Sequence, residues 1–139
     1  MAMASMMLPL GTSAPAFALR DVVSEEVYSL DSFKGEKALM VMFICRHCTY
    51  VVHVQDELAR IGETYQDSGL AIVAISRNDP GQYPDDAPEG LKEMAQRLHF
   101  VFPFCFDETQ EVARAYKAAC TPDFYLFDAR RRLVYRGQL

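Results

Sequence analysis

The 139-residue sequence lacks the charge clusters and long apolar runs that would assign it to several large classes of protein. Its net charge is −5 and its longest basic run is Arg130–Arg132, so it has no cluster of Lys and Arg of the kind that nucleic-acid binding requires. No window approaches the roughly 20 apolar residues that a membrane-spanning helix needs. We therefore expect neither a nucleic-acid partner nor a membrane segment, and we interpret the arginine run as a solvated hairpin tip.

Signals for export are also missing. The first positively charged residue is Arg20 and no long apolar stretch precedes it, so the N-terminus is a poor signal peptide. Cysteine is sparse, and four cysteines at irregular spacing do not form the framework of a secreted disulfide-rich domain. We therefore expect a cytoplasmic protein, in which a close cysteine pair is more often catalytic or metal-binding than structural.

Hydrophobic periodicity predicts a single α/β domain over residues 1–139, with no internal repeat or linker. Leu39–Ile44 and Leu70–Ile75 are unbroken apolar runs, which are typical of strands buried on both faces. Between them, apolar residues at steps of three and four predict a helix that ends near Gly69. A strand–helix–strand order of this kind implies a right-handed parallel crossover.

The rest of the chain adds a short strand, two helices and a C-terminal β-hairpin. Asp107 is predicted to cap the last helix, with Gln110 as its reciprocal partner. The whole order predicts a mixed central sheet with helices on both faces, and ligands of such sheets gather at the carboxyl ends of the parallel strands. The segments are, in chain order, Val27–Leu30, Leu91–Leu98, Val112–Tyr116, and Phe124–Phe127 with Leu133–Tyr135.

Cys45 and Cys48 are the residues that point to a chemistry. They lie where the first buried strand ends and the following helix begins, with Arg46 and His47 between them. A helix N-terminus stabilises a thiolate through its unpaired N–H groups and its dipole, and Arg46 and His47 can add positive charge. Cys48 is therefore the better nucleophile, and Cys45 is its disulfide partner.

Other interpretations of the pair stay open. The two cysteines could be small core hydrophobes, or they could supply half of a zinc site. Structural zinc needs four ligands, and neither His47 in the short loop nor His53 on the helix is well placed to complete the set. Haem attachment is excluded because Thr49, not histidine, follows Cys48. We expect no metal and no cofactor.

Three motifs occur in order along the chain: GTSAPAFAL, FICRHC and CTPDFYLFD. Together they resemble the alkyl hydroperoxide reductase/thiol-specific antioxidant (peroxiredoxin-like) branch of the thioredoxin superfamily over nearly the whole chain. The resemblance implies a thioredoxin-like fold in which the cis-proline loop, Thr121 and Pro122, faces the reactive cysteine. Motif matching to both thioredoxins and peroxiredoxins puts Cys48 on the reactive cysteine, so Cys45 becomes a resolving residue that precedes the nucleophile. Arg46, His47 and Thr49 complete the implied active-site loop.

The sequence also departs from these relatives. Thr49 replaces the proline that commonly follows the nucleophile, and Met42 stands where thioredoxins carry a buried aspartate that handles the proton. The resemblance therefore implies that Asp123 or solvent takes that role. The arginine that peroxiredoxins place beside their cysteine has no clear counterpart, which weakens a peroxidase function. The chain stops just after the last predicted strand, so we expect a C-terminal segment truncated relative to relatives and an exposed sheet face suited to a homodimer.

The leading expectation is a thiol–disulfide oxidoreductase in which Cys48 attacks a disulfide and Cys45 resolves the mixed intermediate. Its partners would be a protein or small-molecule disulfide and a reducing partner such as a thioredoxin system. One alternative is a thiol-dependent peroxidase that forms a sulfenate on Cys48. Another is a non-catalytic thioredoxin-like module that binds a partner or a metal. Cys105 and Cys120 are single cysteines, and we expect both to be buried packing residues outside the disulfide.

Overall fold

The computed structural model describes residues 8–44, 49–65, 67–76, 87–118 and 123–137, and of residues 49–54 it describes the backbone alone. These residues form strands, α-helices and one short 3-10 helix at Leu30–Phe33. The strands are β1 (Ala18–Arg20), β2 (Val27–Ser29), β3 (Ala38–Phe43), β4 (Leu70–Ser76), β5 (Phe104–Phe106), β6 (Asp123–Phe127) and β7 (Leu133–Gly137). The helices are α1 (Thr49–Tyr65), α2 (Pro88–Arg97) and α3 (Glu111–Ala115).

Five strands form one mixed sheet in the order β5-β4-β3-β6-β7. β4 is parallel to both β3 and β5, whereas β6 is antiparallel to both β3 and β7. β3 and β4 lie at the centre because their continuous apolar sequences can be buried on both faces of the sheet. The predicted mixed sheet, the parallel pairing of the two apolar strands and the C-terminal hairpin are confirmed.

Each face of the sheet has its own hydrophobic core. On one face, α3 and the N-terminal segment pack on the sheet, and we call it the α3 face. On the other, Leu58 of α1 and Leu91 of α2 pack with Met42 and Phe124, and we call it the α1/α2 face. The prediction of helices on both faces is therefore confirmed. No helix in the described part of the chain has the length and apolar character that crossing a membrane requires.

β1, β2 and β5 have three residues each, which is too few to show a clear alternating pattern. Of these short strands, only β2 is predicted from the sequence. β1 and β2 form a separate two-stranded hairpin. Asp21 joins this hairpin to the sheet, since its Oδ1 accepts a hydrogen bond from the amide of Phe104 at 3.0 Å. The strand predicted at Val27–Leu30 ends one residue earlier, because Leu30 begins the 3-10 helix.

Asp107 caps α3 with its side chain, as predicted, although it lies three residues before the N-cap position. Its carboxylate accepts hydrogen bonds from the amides of Val112 at 3.5 Å and Ala113 at 2.9 Å. The predicted role of Gln110 is wrong, because the amide of Asp107 already donates to the carbonyl of Ser76 at 3.0 Å. Gln110 is instead the N-cap residue, with a φ of 63° and no side-chain capping hydrogen bond.

The arginine run lies at the tip of the β6–β7 hairpin, as predicted, but it is only partly solvated. Asp128 accepts hydrogen bonds from the amides of Arg130 at 2.9 Å and Arg132 at 3.0 Å, and these bonds lower the pKa of its carboxyl group. The side chain of Arg131 turns back and donates to the carbonyl of Phe33 at 2.7 Å. This arginine therefore ties the hairpin tip to the 3-10 helix.

Candidate functional site

Four strand ends lie level across the sheet. Phe43 at the end of β3 is the register partner of Ile75 in β4 and of Asp123 at the start of β6, and Ile75 is the partner of Cys105 in β5. Neighbouring strands are about 4.8 Å apart, so this line spans roughly 15 Å. We call the line Asp123–Phe43–Ile75–Cys105, together with Ser76 at the end of β4 and Asp107 directly after β5, the upper edge of the sheet.

Buried polar side chains concentrate at the upper edge. In the described ranges, the buried polar or charged residues are Asp21, Ser76, Asp107 and Asp123. Ser76 ends β4, Asp107 follows β5, Asp123 begins β6, and Asp21 forms a β-bridge with Cys105. Burying a polar group costs free energy unless a partner satisfies it. The described side chains whose burial is unfavourable in the absence of a partner therefore lie at the upper edge.

Three of these four side chains have hydrogen-bond partners, and the fourth has none among the described residues. The carboxylate of Asp21 holds Ser24 and the amide of Phe104, and that of Asp107 caps α3, so both support the structure. The carboxylate of Asp123 accepts a hydrogen bond from the hydroxyl of Tyr125 at 3.4 Å. The hydroxyl of Ser76 is fully buried and has no hydrogen-bond partner in the part of the chain that the structure describes.

An aromatic cluster supports the upper edge from the α3 face. Phe43 and Tyr125 meet edge to face with ring centroids 5.7 Å apart, and Tyr116 lies 5.5 Å from Phe43 and 5.6 Å from Tyr125. Such geometry adds to the free energy gained from burial alone. The hydroxyl of Tyr116 donates to the carbonyl of Pro15 at 2.7 Å, and burial raises the pKa of this phenol. The cluster fixes the ends of β3 and β6 beside each other.

Most of the predicted site residues lie outside the described residues. The structure does describe their points of attachment: residues 45–48 join Ile44 to Thr49, the first residue of α1, and residues 119–122 precede Asp123. Both segments therefore connect to the upper edge, on strands that are hydrogen-bonded neighbours. The predicted residues outside the described ranges are Cys45, Arg46, His47, Cys48, Thr121 and Pro122, together with Cys120; Thr49 is described in its backbone only.

Cys105 is a buried free thiol at the upper edge. Burial, reinforced by the negative charge of Asp21, raises the pKa of this thiol from 9.0 to about 12. A thiol that stays protonated is a poor nucleophile. The prediction that Cys105 is a packing residue is therefore confirmed.

Sequence reasoning missed Asp21, Ser76 and Tyr125 as parts of this edge. Ser76 had a visible signal, because it is the first polar residue after the apolar run of β4. Asp21 and Tyr125 had none, since their roles depend on partners that only folding brings together. Within the described ranges, no group of three or more His, Cys, Asp or Glu side chains could hold a metal ion.

The sheet order and the helices on both faces define a thioredoxin-like fold. The thioredoxin domain of a thiol-disulfide oxidoreductase from Bacteroides vulgatus has this fold, with a TM-score of 0.76 and 21% sequence identity over 93% of this chain and 88% of that chain. The sequence pattern of the AhpC/TSA family matches residues 10–136, so the chain belongs to the AhpC/TSA family. The predicted resemblance and fold are both confirmed.

Two solved structures have higher sequence identity to this chain. An uncharacterized conserved protein from Geobacillus kaustophilus is 53% identical, with a TM-score of 0.93, over 96% of this chain and 70% of that chain. A hypothetical protein from Sinorhizobium meliloti is 42% identical, with a TM-score of 0.92, over 94% of this chain and 71% of that chain. A search of the curated proteins finds no match.

Proposed function

We propose that the protein is a thiol–disulfide oxidoreductase whose redox pair is Cys45 and Cys48, with Cys48 as the nucleophile. The observation that carries the proposal is that α1 begins at Thr49, immediately after Cys48, while β3 ends at Phe43. α1 is 17 residues long and has no acidic residue in its first turn, so no side-chain charge of that turn opposes the positive end of its dipole. A helix start of this kind favours the thiolate of a neighbouring cysteine.

The reaction is a two-electron exchange. The thiolate of Cys48 attacks one sulfur of the substrate disulfide, the substrate S–S bond breaks, and the leaving sulfur takes up a proton. The thiolate of Cys45 then attacks the mixed disulfide, which releases the second substrate thiol and leaves a Cys45–Cys48 disulfide. The substrate is reduced and the protein is oxidised, and an external dithiol reductant returns the pair to its reduced state.

The neighbouring strand supports the same site. Asp123 begins β6 beside Phe43, so the segment that contains Thr121 and Pro122 joins the sheet next to the segment that contains the cysteines. In this proposal Thr121, Pro122, Arg46, His47 and Thr49 form the loop that meets the substrate. The name of the Bacteroides vulgatus structure, a thiol-disulfide oxidoreductase, supports the same type of chemistry.

The proposed partners follow from the reaction. The substrate is a protein or small-molecule disulfide, and the electrons come from a reducing partner such as a thioredoxin system. We place the protein in the cytoplasm, where such reductants keep thiols reduced. We also propose that Asp123 or solvent accepts the proton of the resolving Cys45 thiol. The side chain of Asp123 is buried, and the residue pairs with Phe43 at the end of β3.

Insulin reduction with dithiothreitol tests the proposal. We expect Cys48→Ser to lower the catalysed rate at least ~100-fold, because the attacking sulfur is lost. Cys105→Ala is the matched control, since it removes a thiol that burial keeps protonated, and it should keep the wild-type rate. Equal rates of insulin reduction for wild type and Cys48→Ser would contradict the proposal. Mass spectrometry of the oxidised protein should find Cys45 linked to Cys48, and a Cys48–Cys120 link would make Cys120 the resolving residue instead.

A thiol-dependent peroxidase that uses Cys48 is the second candidate, because the AhpC/TSA match covers nearly the whole chain. Peroxide-dependent thiol consumption separates the two activities. A rate no faster than that of free cysteine excludes the peroxidase. Metal analysis of the purified protein tests the binding-module alternative, since stoichiometric zinc that is lost in Cys45→Ser would replace both redox proposals.

A further inference from the structure

A cavity of about 950 Å³ opens beside the upper edge, between β1 and the starts of α2 and α3. β1 is hydrogen-bonded to β2 along one side. Just beyond the end of β1, Asp21 and Val22 join β5 through the bridge between Asp21 and Cys105 and through the hydrogen bond from the amide of Val22 to the carbonyl of Phe104 at 2.9 Å. Ala18–Arg20 therefore lines one wall of the cavity and Phe106–Thr109 lines the facing wall. A groove with a strand along one wall suits an extended peptide segment.

The cavity combines apolar walls with an acidic rim. Phe17, Val22 and Val112 contribute apolar surface. The exposed rim residues are four glutamates and two cations: Glu25, Glu89, Glu108, Glu111, Arg20 and Lys92. None of these glutamate carboxylates forms an ion pair with another described residue, and Arg20 donates instead to the backbone carbonyl of Glu25. The rim is therefore net negative and unneutralised within the described residues.

The cavity and the proposed redox pair share one edge of the sheet. Phe43 and Cys105 are level and are separated by two strand spacings, which is about 10 Å. An extended chain covers that distance in about three residues. A peptide whose disulfide is at the end of β3 can therefore place residues three or more positions away beside the cavity.

We propose that this cavity binds an extended segment of a protein substrate that carries lysine or arginine side chains about three to six residues from the reactive disulfide. This inference rests on the proposed function and adds a substrate class to it. The acidic rim attracts the charged heads, while the long aliphatic stems cover the apolar wall. The segment lies in the cavity between β1 and the residues after β5.

The first experiment measures binding without thiol chemistry. A fluorescent peptide of alternating valine and lysine, with serine in place of its cysteine, is titrated with the full chain, beside a matched peptide that has glutamate in place of lysine. Glu89→Lys with Glu111→Lys should weaken binding of the lysine peptide about tenfold and strengthen binding of the glutamate peptide. Glu36→Lys with Glu63→Lys is the control, because it changes the net charge equally at exposed positions outside the cavity and should change binding less than about twofold.

The second experiment measures kcat/KM for the cysteine-containing lysine peptide as a disulfide, and for a small disulfide without a peptide. The cavity variant should lose about tenfold on the peptide, mainly through KM, and nothing on the small disulfide. If wild type does not bind the lysine peptide, or if both double variants lose affinity equally, the cavity proposal is overturned while the redox proposal stands. If wild type binds the peptide but reduces neither disulfide, the redox proposal fails and the cavity is a basic-peptide site alone.

Discussion

The two edges of the central sheet differ in what they bury. At the upper edge, Ser76, Asp107 and Asp123 are buried polar side chains within one or two residues of the strand ends. At the lower edge, where β3 and β4 begin, the described buried side chains are apolar, as in Leu39 and its register partner Phe127. There the amides of Lys37 and Ala38 both donate to the carbonyl of Gly69, so a tight connection satisfies the backbone directly.

The difference indicates that the lower edge contributes mainly to stability and that the upper edge is the place for chemistry. The lower edge gains free energy from close apolar packing and has no buried polar group to satisfy among the residues described. The upper edge gains less free energy from packing, because it buries carboxylates and a hydroxyl. The segment that contains the proposed redox pair attaches at this edge. Changes at the two edges should therefore have different consequences.

The largest effect is expected at the lower edge. Leu39→Ala removes a fully buried side chain and should lower the free energy of unfolding by about 2–5 kcal/mol, because it leaves a cavity under the α3 face. The rate of disulfide reduction, measured well below the new melting temperature, should be unchanged. Urea unfolding and the insulin assay together check both statements. A rate that falls although the protein remains folded would show that the two edges are not independent.

Asp107→Ala should have the next largest effect. It removes the acceptor of the amides of Val112 and Ala113 at the start of α3, and leaving those donors unsatisfied should cost about 2 kcal/mol of unfolding free energy. The neighbouring exposed residue supplies the control, since Glu108→Ala should change the stability by less than about 0.5 kcal/mol. Equal losses in the two variants would refute the capping role of Asp107.

Ser76→Ala is expected to have the opposite sign. The Ser76 hydroxyl is buried without a partner among the described residues, so its removal should raise the free energy of unfolding by up to about 1 kcal/mol. Ser68→Ala provides a contrast, because the Ser68 hydroxyl donates to the carbonyl of Tyr65 at 2.7 Å and its loss should not stabilise the protein. Urea unfolding midpoints of wild type, Ser76→Ala and Ser68→Ala test both expectations. A clear loss of stability in Ser76→Ala would mean that the hydroxyl has a partner.

The smallest effect at neutral pH concerns Cys105, and it appears only in alkali. Because the pKa of this thiol is raised in the folded state, from 9.0 to about 12, the unfolded chain loses the proton first. Its contribution to stability is complete below pH 9.0 and is lost as the pH rises toward about 12.

Cys105→Ala should accordingly show a smaller decline of unfolding free energy between neutral pH and about pH 10 than wild type does. Tyr116 remains in both proteins, and burial raises the pKa of its phenol too, so the difference between the two pH profiles isolates the thiol. Parallel profiles would contradict the assignment.

Much of the fold could be predicted because the strongest patterns are local. The apolar runs at Leu39–Ile44 and Leu70–Ile75 correspond closely to β3 and β4, since such runs are stable only when both faces are covered. The hairpin of β6 and β7 was equally visible. β1 and β5 were missed because they are held by tertiary bonds, such as the one from the amide of Phe104 to Asp21.

The candidate site, like the fold, could be predicted from the sequence only in part. A cysteine pair between an apolar run and a helical stripe is a property of adjacent residues. The position of the redox pair and the family motifs could therefore be read from the sequence alone. Three features required the folded structure: Asp123 is buried level with Phe43, Cys105 is a buried thiol with a raised pKa, and a cavity with an acidic rim lies at the same edge. The physical reason is that register, burial and the electrostatic field of a rim depend on distances between residues far apart in the chain, and folding sets those distances.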